Sequence, residues 1–174
     1  MVKLPFALIL CLGVFFASPV HGATISRSSI SHGVANCRGA RLSDESVLRR
    51  SPMGITNTGD KPVFVTCDFD QGPNWPNYES VVGISSVTIA FLNPTGTNVT
   101  VNCTLADGIL HVANYFPKAT VVEGGPGAPA AVPTWTSEAD NGGKLFAAPA
   151  LSCTLPKGIE ISYLLVLYFE EIGQ

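Results

Sequence analysis

The chain has 174 residues, a formal net charge of −3 at pH 7 and only 13% charged residues, whereas 46% of its residues are hydrophobic. This length fits one domain with a substantial core. Nucleic acid is not expected as a partner, because phosphate recognition needs concentrated basic charge and the largest basic cluster is the pair Arg49-Arg50.

The N-terminus has the pattern of a secretory signal peptide. A lysine precedes an unbroken apolar run over residues 6–17, and a small-residue tail ends at Gly22, where cleavage is expected. The run is shorter than the roughly 20 apolar residues that a membrane-spanning helix needs. We therefore expect residues 1–22 to be removed, residues 23–174 to form a single domain without a membrane span, and the protein to be secreted or periplasmic.

The first predicted elements lie between residues 44 and 69. The only helical expectation in the chain is a short segment over 44–50. The stretches MGITN (53–57) and VFVTCDF (63–69) alternate in polarity and are separated by turn residues, so they predict a hairpin with a loop.

Four further segments are typical of strands. SSVTIAFLN (85–93), NVTVNCTLA (98–106) and ALSCTLP (150–156) place apolar and polar side chains on opposite faces. IEISYLLVLYFE (159–170) is apolar on both faces through its middle, which predicts a central strand covered on both sides.

The region between these strands is less regular. Residues 123–133, EGGPGAPAAVP, predict a mobile Gly/Pro-rich loop. Short strands at 133–137 and 144–148 are expected to bracket a turn at 140–143. Nearly all the turn signals are of the β kind. Together the segments predict an all-β protein, a two-layer antiparallel β-sandwich of the jelly-roll or Ig-like type.

The cysteines predict two disulfides. Of the five cysteines, Cys11 leaves with the signal peptide, and an even number remains in an exported chain. Three pairings are possible. The matching stretches NCTL and SCTL favour Cys103 with Cys153, which leaves Cys37 with Cys67. Alternation puts three of the four, Cys67, Cys103 and Cys153, on the core side of their strands, so we expect buried bridges between the facing layers.

Several of these motifs together resemble small secreted bacterial β-sandwich proteins of uncharacterised function. The resemblance rests on the leader, the early cysteine, G-I-x-N-T over 54–58, the cysteine strand that follows, and S-C-T-L-P-x-G over 152–158. It covers most of the chain after the leader. It implies a fold and a compartment, and it carries over no catalytic residue.

A metal site is one hypothesis for the loop after residue 67. Asp68 and Asp70 alternate as calcium ligands do, and Glu79 falls where a calcium loop ends. The pattern lacks the third oxygen ligand and the glycine at the required position. We favour the interpretation that the two aspartates continue the solvent side of a strand, and no cofactor is expected.

An aromatic platform is a second hypothesis. Trp75, Tyr78 and Trp135 have the chemistry to bind a glycan or a protein partner, although such residues also cover the ends of sandwich cores. We favour the core interpretation for them.

No catalytic constellation stands out. The two histidines outside the leader lack partners for nucleophilic catalysis, and no carboxylate pair is marked by its spacing. The sequence therefore favours a non-enzymatic binding or structural module. The alternatives are a small carboxylate-dependent hydrolase acting on glycans and a calcium-dependent carbohydrate-binding module.

Overall fold

The computed structural model describes residues 23–69, 83–109 and 112–172, and it is an all-β fold of two antiparallel sheets. The signal peptide lies outside these residues and stays a prediction. The strands and short helices follow in chain order: β1 Ala23–His32, α1 Gly33–Asn36, β2 Cys37–Gly39, α2 Leu42–Glu45, β3 Leu48–Ser51, β4 Gly54–Asn57, β5 Val63–Asp68, β6 Gly83–Leu92, β7 Val99–Ile109, β8 Val112–Val122, β9 Thr134–Thr136, α3 Ser137–Asp140, β10 Pro149–Leu155 and β11 Glu160–Ile172.

The strands divide into a six-stranded and a five-stranded sheet. The six-stranded sheet has the order β3-β4-β11-β6-β9, and β1 also pairs with β11. The five-stranded sheet has the order β2-β5-β10-β7-β8. The prediction of a central last strand is confirmed, since β11 pairs with β6 on one side and with β4 and β1 on the other.

The core lies between the sheets and is built by the alternation seen in the sequence. One side of β5 is buried at Val63, Val65 and Cys67, while Phe64 and Asp68 are exposed. Strands β7 and β10 repeat this pattern. The outer side of β11 departs from the expected covering, because no further layer lies over it among the described residues and Leu167 is exposed.

Both disulfides lie inside the five-stranded sheet. Cys37 is bonded to Cys67 and Cys103 to Cys153, the expected pairs, and all four residues are buried. The members of each pair are direct register partners on neighbouring strands, β2 with β5 and β7 with β10. The expectation that the bridges would join the two layers is therefore wrong. A cysteine is buried whenever its side chain faces the core. A bridge is therefore buried whether its second cysteine lies opposite on the adjacent strand or on the facing sheet.

The hairpin predicted from 53–57 and 63–69 does not form. β4 pairs with β3 and β11 in the six-stranded sheet, whereas β5 lies in the five-stranded sheet. The turn residues between them carry the chain from one layer to the other. Alternation assigns a face to each strand, but it does not choose the strand's neighbour.

Two buried asparagines hold equivalent crossings between the sheets. Asn57 ends β4, and its Nδ2 donates to the carbonyl oxygens of Lys61 and Leu155, both at 2.9 Å. Asn93 follows β6, and its Nδ2 donates to the carbonyl oxygens of Thr97 at 2.8 Å and Val122 at 3.1 Å. Each amide oxygen accepts a backbone N–H two residues ahead. Each asparagine therefore folds its own turn and ties it to a strand of the five-stranded sheet.

These crossings belong to an internal repeat that the sequence analysis missed. The segments 54–69 and 90–105 align without a gap, with Asn57 matching Asn93 and Cys67 matching Cys103. Both run from the six-stranded sheet through an asparagine turn into a cysteine-bearing strand of the five-stranded sheet. The signal was present in the alternating valines before each cysteine.

Two smaller expectations are corrected. The helical segment begins and ends earlier than expected, at Leu42–Glu45, because 48–51 is strand β3. The strand expected at 144–148 is reduced to one isolated bridge between Phe146 and Ile84. A third feature is added to the 123–133 loop, whose mobility stays a prediction: near its end, paired backbone bonds join Ala131 to Phe91 of β6.

The carboxylate of Glu45, which lies near β2, should make the stability of the fold depend on pH. Arg50 donates to Glu45 at 2.8 Å and the Gly39 backbone N–H donates at 2.5 Å, and these bonds lower the pKa of Glu45. Because the folded pKa lies below the unfolded value, the stabilisation is present above the ordinary glutamate pKa of roughly 4.3. It is lost as the pH falls through the lower folded value.

We expect the melting temperature of the protein to fall between roughly pH 5 and pH 3 more steeply than that of the Glu45→Gln variant. Thermal unfolding followed by circular dichroism across this range measures the difference. Parallel curves for the two proteins would contradict the role assigned to the Glu45 carboxylate. Asp60, whose pKa is lowered by Lys157, contributes equally to both curves.

Candidate functional site: the outer face of the five-stranded sheet

The outer face of the five-stranded sheet carries the side chains that alternate with the core residues of β5, β10, β7 and β8. Register pairing sets them in three rows across the strands. The rows are Phe64-Thr154-Asn102-Ala119, Thr66-Ser152-Thr104-Pro117 and Asp68-Ala150-Ala106-Tyr115. Arg38 of β2 extends the middle row at its Thr66 end.

Small side chains floor the centre of this face. Ser152, Ala150, Thr104 and Ala106 occupy neighbouring positions on β10 and β7, the two inner strands of the four. A shallow depression of about 680 Å³ lies over them. A sheet face tiled with larger side chains would fill this space, so the small residues leave room for a ligand to lie against the strands.

Two aromatic rings stand at opposite corners of the depression. Phe64 on β5 is 50% exposed and Tyr115 on β8 is 68% exposed, and both line it. They are separated by three strand spacings and by four residues along the strands, about 14 Å in each direction and roughly 20 Å diagonally. Exposed rings at this separation offer two stacking positions for one extended ligand.

The lining of the depression is mainly apolar in exposed area, is interspersed with hydroxyl and amide groups, and is almost uncharged. Its hydroxyl and amide groups come from Thr66, Ser152, Thr104, Thr154 and Asn102. These groups both donate and accept hydrogen bonds. Such a surface matches a neutral, hydroxyl-rich ligand better than an anion or a cation.

Charge on this face is confined to its rim. Arg38 Nη2 lies 3.1 Å from Asp68 Oδ2, and both side chains are well exposed. Lys118 also borders the depression, but its Nζ donates to the Thr134 carbonyl at 2.6 Å and to Asp140 Oδ2 at 3.0 Å. Both groups that bind the Lys118 ammonium belong to the β9–α3 segment. This charge therefore points away from a ligand on the face.

The predicted metal residues fall into two groups. Asp68 is the exposed end of β5 and is engaged by Arg38. Asp70 and Glu79 lie outside the described residues. In the part of the chain that the structure describes, no group of three or more histidine, cysteine, aspartate or glutamate side chains is placed to hold a metal ion.

The core interpretation favoured for the aromatic residues is confirmed for Trp135. Trp135 is fully buried, and its indole N–H donates to the Phe116 carbonyl at 2.8 Å. Lys118 Nζ lies 5.4 Å from the centroid of the ring. Trp135 thus joins β9 to β8 across the edge of the sandwich and is not available for ligand stacking. Trp75 and Tyr78 lie outside the described residues.

The rings that do face outward, Phe64 and Tyr115, were not singled out by the sequence analysis. The signal for Phe64 was available, because it is the one large apolar residue at an outward position of the alternating stretch VFVTCDF. Tyr115 lies on a strand whose alternation is obscured by Pro117 and Lys118. The position of Tyr115 on the same face as residues of β5, β10 and β7 is visible only in the assembled sheet.

None of the helices in the described part of the chain has the length and apolar character that a membrane span requires.

The sequence matches no protein-family model and no curated protein. Several solved structures are similar at low identity. A galactose complex of an exo-β-1,3-galactanase from Phanerochaete chrysosporium has a TM-score of 0.43 and 11% identity over 80% of this chain and 29% of that chain. The Tobacco streak virus coat protein has a TM-score of 0.35 and 12% identity over 91% and 93%.

A third similar structure is TmCBM61 in complex with β-1,4-galactotriose. It has a TM-score of 0.34 and 10% identity over 83% of this chain and 88% of that chain. This chain spans less than a third of the galactanase. At such low identities and TM-scores, these similarities carry no information about the ligand of this protein. The geometry of the outer face is the basis for inferring its function.

Proposed function

We propose that this protein is an exported, non-enzymatic binding module that holds a neutral oligosaccharide on the outer face of its five-stranded sheet. The observation that carries the proposal is the pair of exposed rings, Phe64 and Tyr115, set across a floor of small residues, two of which bear hydroxyl groups. Aromatic rings supply large contact area at low entropic cost, and flanking hydroxyl and amide groups supply orientation.

The roughly 20 Å between the rings favours a chain of sugars over a single sugar. An extended ligand laid diagonally across β5, β10, β7 and β8 meets one ring near each end. Between the rings it passes over Ser152 and Thr104, whose hydroxyl groups are suited to those of a sugar.

The same face supports binding better than hydrolysis. Glycoside hydrolysis uses two carboxyl groups that flank the scissile bond. Among the described residues lining the depression, Asp68 alone carries a carboxyl group, and Arg38 is paired with it. That pair also favours a calcium-independent module, because a carboxylate that binds a guanidinium is less free to bind a cation.

Substitution of the two rings tests the proposal. A glycan array first selects the oligosaccharide that binds best, and calorimetric titration then compares the protein with Phe64→Ala and Tyr115→Ala. We expect each variant to weaken binding at least tenfold, about 1.4 kcal/mol, because each removes a stacking surface. The binding of wild-type protein should be unchanged by EDTA.

Val132→Ala is the matched control, since Val132 is 43% exposed and does not line the depression. Its affinity should equal that of the wild type. If no neutral glycan binds, or if both ring variants bind as tightly as the control, the proposed site is wrong. Release of reducing sugar from the bound glycan would contradict the non-enzymatic assignment.

A further inference from the structure

The first strand of the described chain presents a long free edge. β1 pairs with β11 through ten consecutive register pairs, from Ala23 with Ile172 to His32 with Tyr163, without a register shift. Within the described residues it has no second strand partner, and none of its ten residues is buried. Every second residue of β1 therefore directs its backbone N–H and C=O groups away from β11.

The other sheet edges in the described part of the chain are short or interrupted. β2 and β9 have three residues each, and β3 has four. β8 is long, but Pro117 lies at its middle. Short length and proline are among the features by which sheet proteins block pairing at their edges. β1 has neither of them.

The side chains of β1 leave the edge open as well. Its one charged residue, Arg27, is engaged by the strand behind it, with Nε 2.9 Å from Glu170 Oε2. Ile30 is 69% exposed. The remainder is mostly serine and threonine, which carry no charge to repel another strand.

We propose that this edge binds the same edge of a second copy of the chain, so that two β1 strands pair antiparallel and join two six-stranded sheets. The twofold axis of such a pair is perpendicular to the sheet, which keeps each side chain on its own face. Residues of like parity must then lie opposite each other, so the axis passes through a residue position. Centring on Arg27 would oppose two arginines, which is destabilising.

Centring on Ser28 avoids that contact and uses nearly the whole strand. Arg27 then lies opposite Ser29 of the partner copy, and Ile30 lies opposite Ser26. The assembly closes at two copies, because the described part of each chain has one such edge and the contact is isologous. A single strand pair buries less surface than a stable interface, so we expect dissociation in the micromolar range.

Light scattering during size-exclusion chromatography tests the pairing, using protein purified after export and loaded from about 1 μM to about 1 mM. The average mass should rise from one copy to two and no further. Ile30→Lys adds a charge to the edge and should raise the dissociation constant at least tenfold. Leu42→Lys, at a residue 92% exposed on α2, is the matched control and should leave the constant unchanged.

A cysteine at the proposed axis tests the register. In Ser28→Cys the two new thiols face each other, and mild oxidation should give a covalent dimer, whereas Ser43→Cys on α2 should not. A wild-type protein that stays monomeric at every concentration would overturn the proposal. So would a dimer that Ile30→Lys does not weaken, or one that Ser28→Cys does not crosslink. None of these three outcomes bears on the proposed glycan binding, which uses the other sheet.

Discussion

Replacing Cys103 and Cys153 together by alanine is expected to lower the free energy of unfolding by about 3 to 4 kcal/mol. The bridge closes a sequence separation of 50 residues, and without it the unfolded chain regains that conformational freedom. Both cysteines are buried in the same core cluster as Val101, Leu105 and Leu151, so the alanines also leave unfilled space. This is a large share of the roughly 5 to 15 kcal/mol that stabilises a typical domain.

Urea unfolding of the wild type and the double variant, followed by circular dichroism, measures the loss. Ser152→Ala is the control, because Ser152 neighbours Cys153 but faces outward, and it should change the unfolding free energy by less than about 0.5 kcal/mol. A double variant whose free energy of unfolding lies within about 1 kcal/mol of the wild-type value would contradict the stabilisation assigned to the bridge.

Removing either crossing asparagine is expected to lower the free energy of unfolding by about 2 to 3 kcal/mol. Asn57 and Asn93 are buried, and each side chain makes three or more hydrogen bonds. Alanine leaves strand-end carbonyl groups, those of Leu155 or Val122, without these donors. A buried acceptor that loses its partner costs its full desolvation free energy, which exceeds the net gain of a typical hydrogen bond.

The repeat predicts that Asn57→Ala and Asn93→Ala cost similar amounts, since the two side chains have matching roles. Asn102→Ala provides the comparison at an exposed asparagine on the outward side of β7, with an expected change below about 0.5 kcal/mol. Equal free energies of unfolding for all three variants in urea would contradict the role assigned to Asn57 and Asn93 in joining the layers. A large loss at one position only would show that the repeat is not energetically equivalent.

The sequence was most informative where one strand could be interpreted alone. Alternation in VFVTCDF and NVTVNCTLA set the buried side of β5 and β7, because the fold must remove Val63, Val65, Val101 and Leu105 from water whichever strands lie beside them. The same parity placed three of the cysteines in the core, and the NCTL and SCTL repeat indicated the pair Cys103–Cys153, which left Cys37 with Cys67. The β-sandwich class followed from the strand count and the lack of helical periodicity.

The candidate site could not be predicted in the same way. Phe64, Ser152, Thr104 and Tyr115 come from four separate strands and become one surface only when β5, β10, β7 and β8 take that order. The core position favoured for Trp135 is confirmed, but its hydrogen bond to the Phe116 carbonyl depends on where β9 docks. Long-range neighbours of this kind leave little trace in a single sequence.

By itself, therefore, the sequence determined the class of fold, the buried side of each strong strand and the chemistry of the crosslinks, since burial and oxidation act on local pattern and residue type. The tertiary structure decided which strands are neighbours, and with it the layer of each disulfide, the separation of β4 from β5, the small-residue floor between two rings and the unguarded edge of β1. The physical reason is that alternation fixes a face, whereas sheet order depends on contacts between segments far apart in the chain.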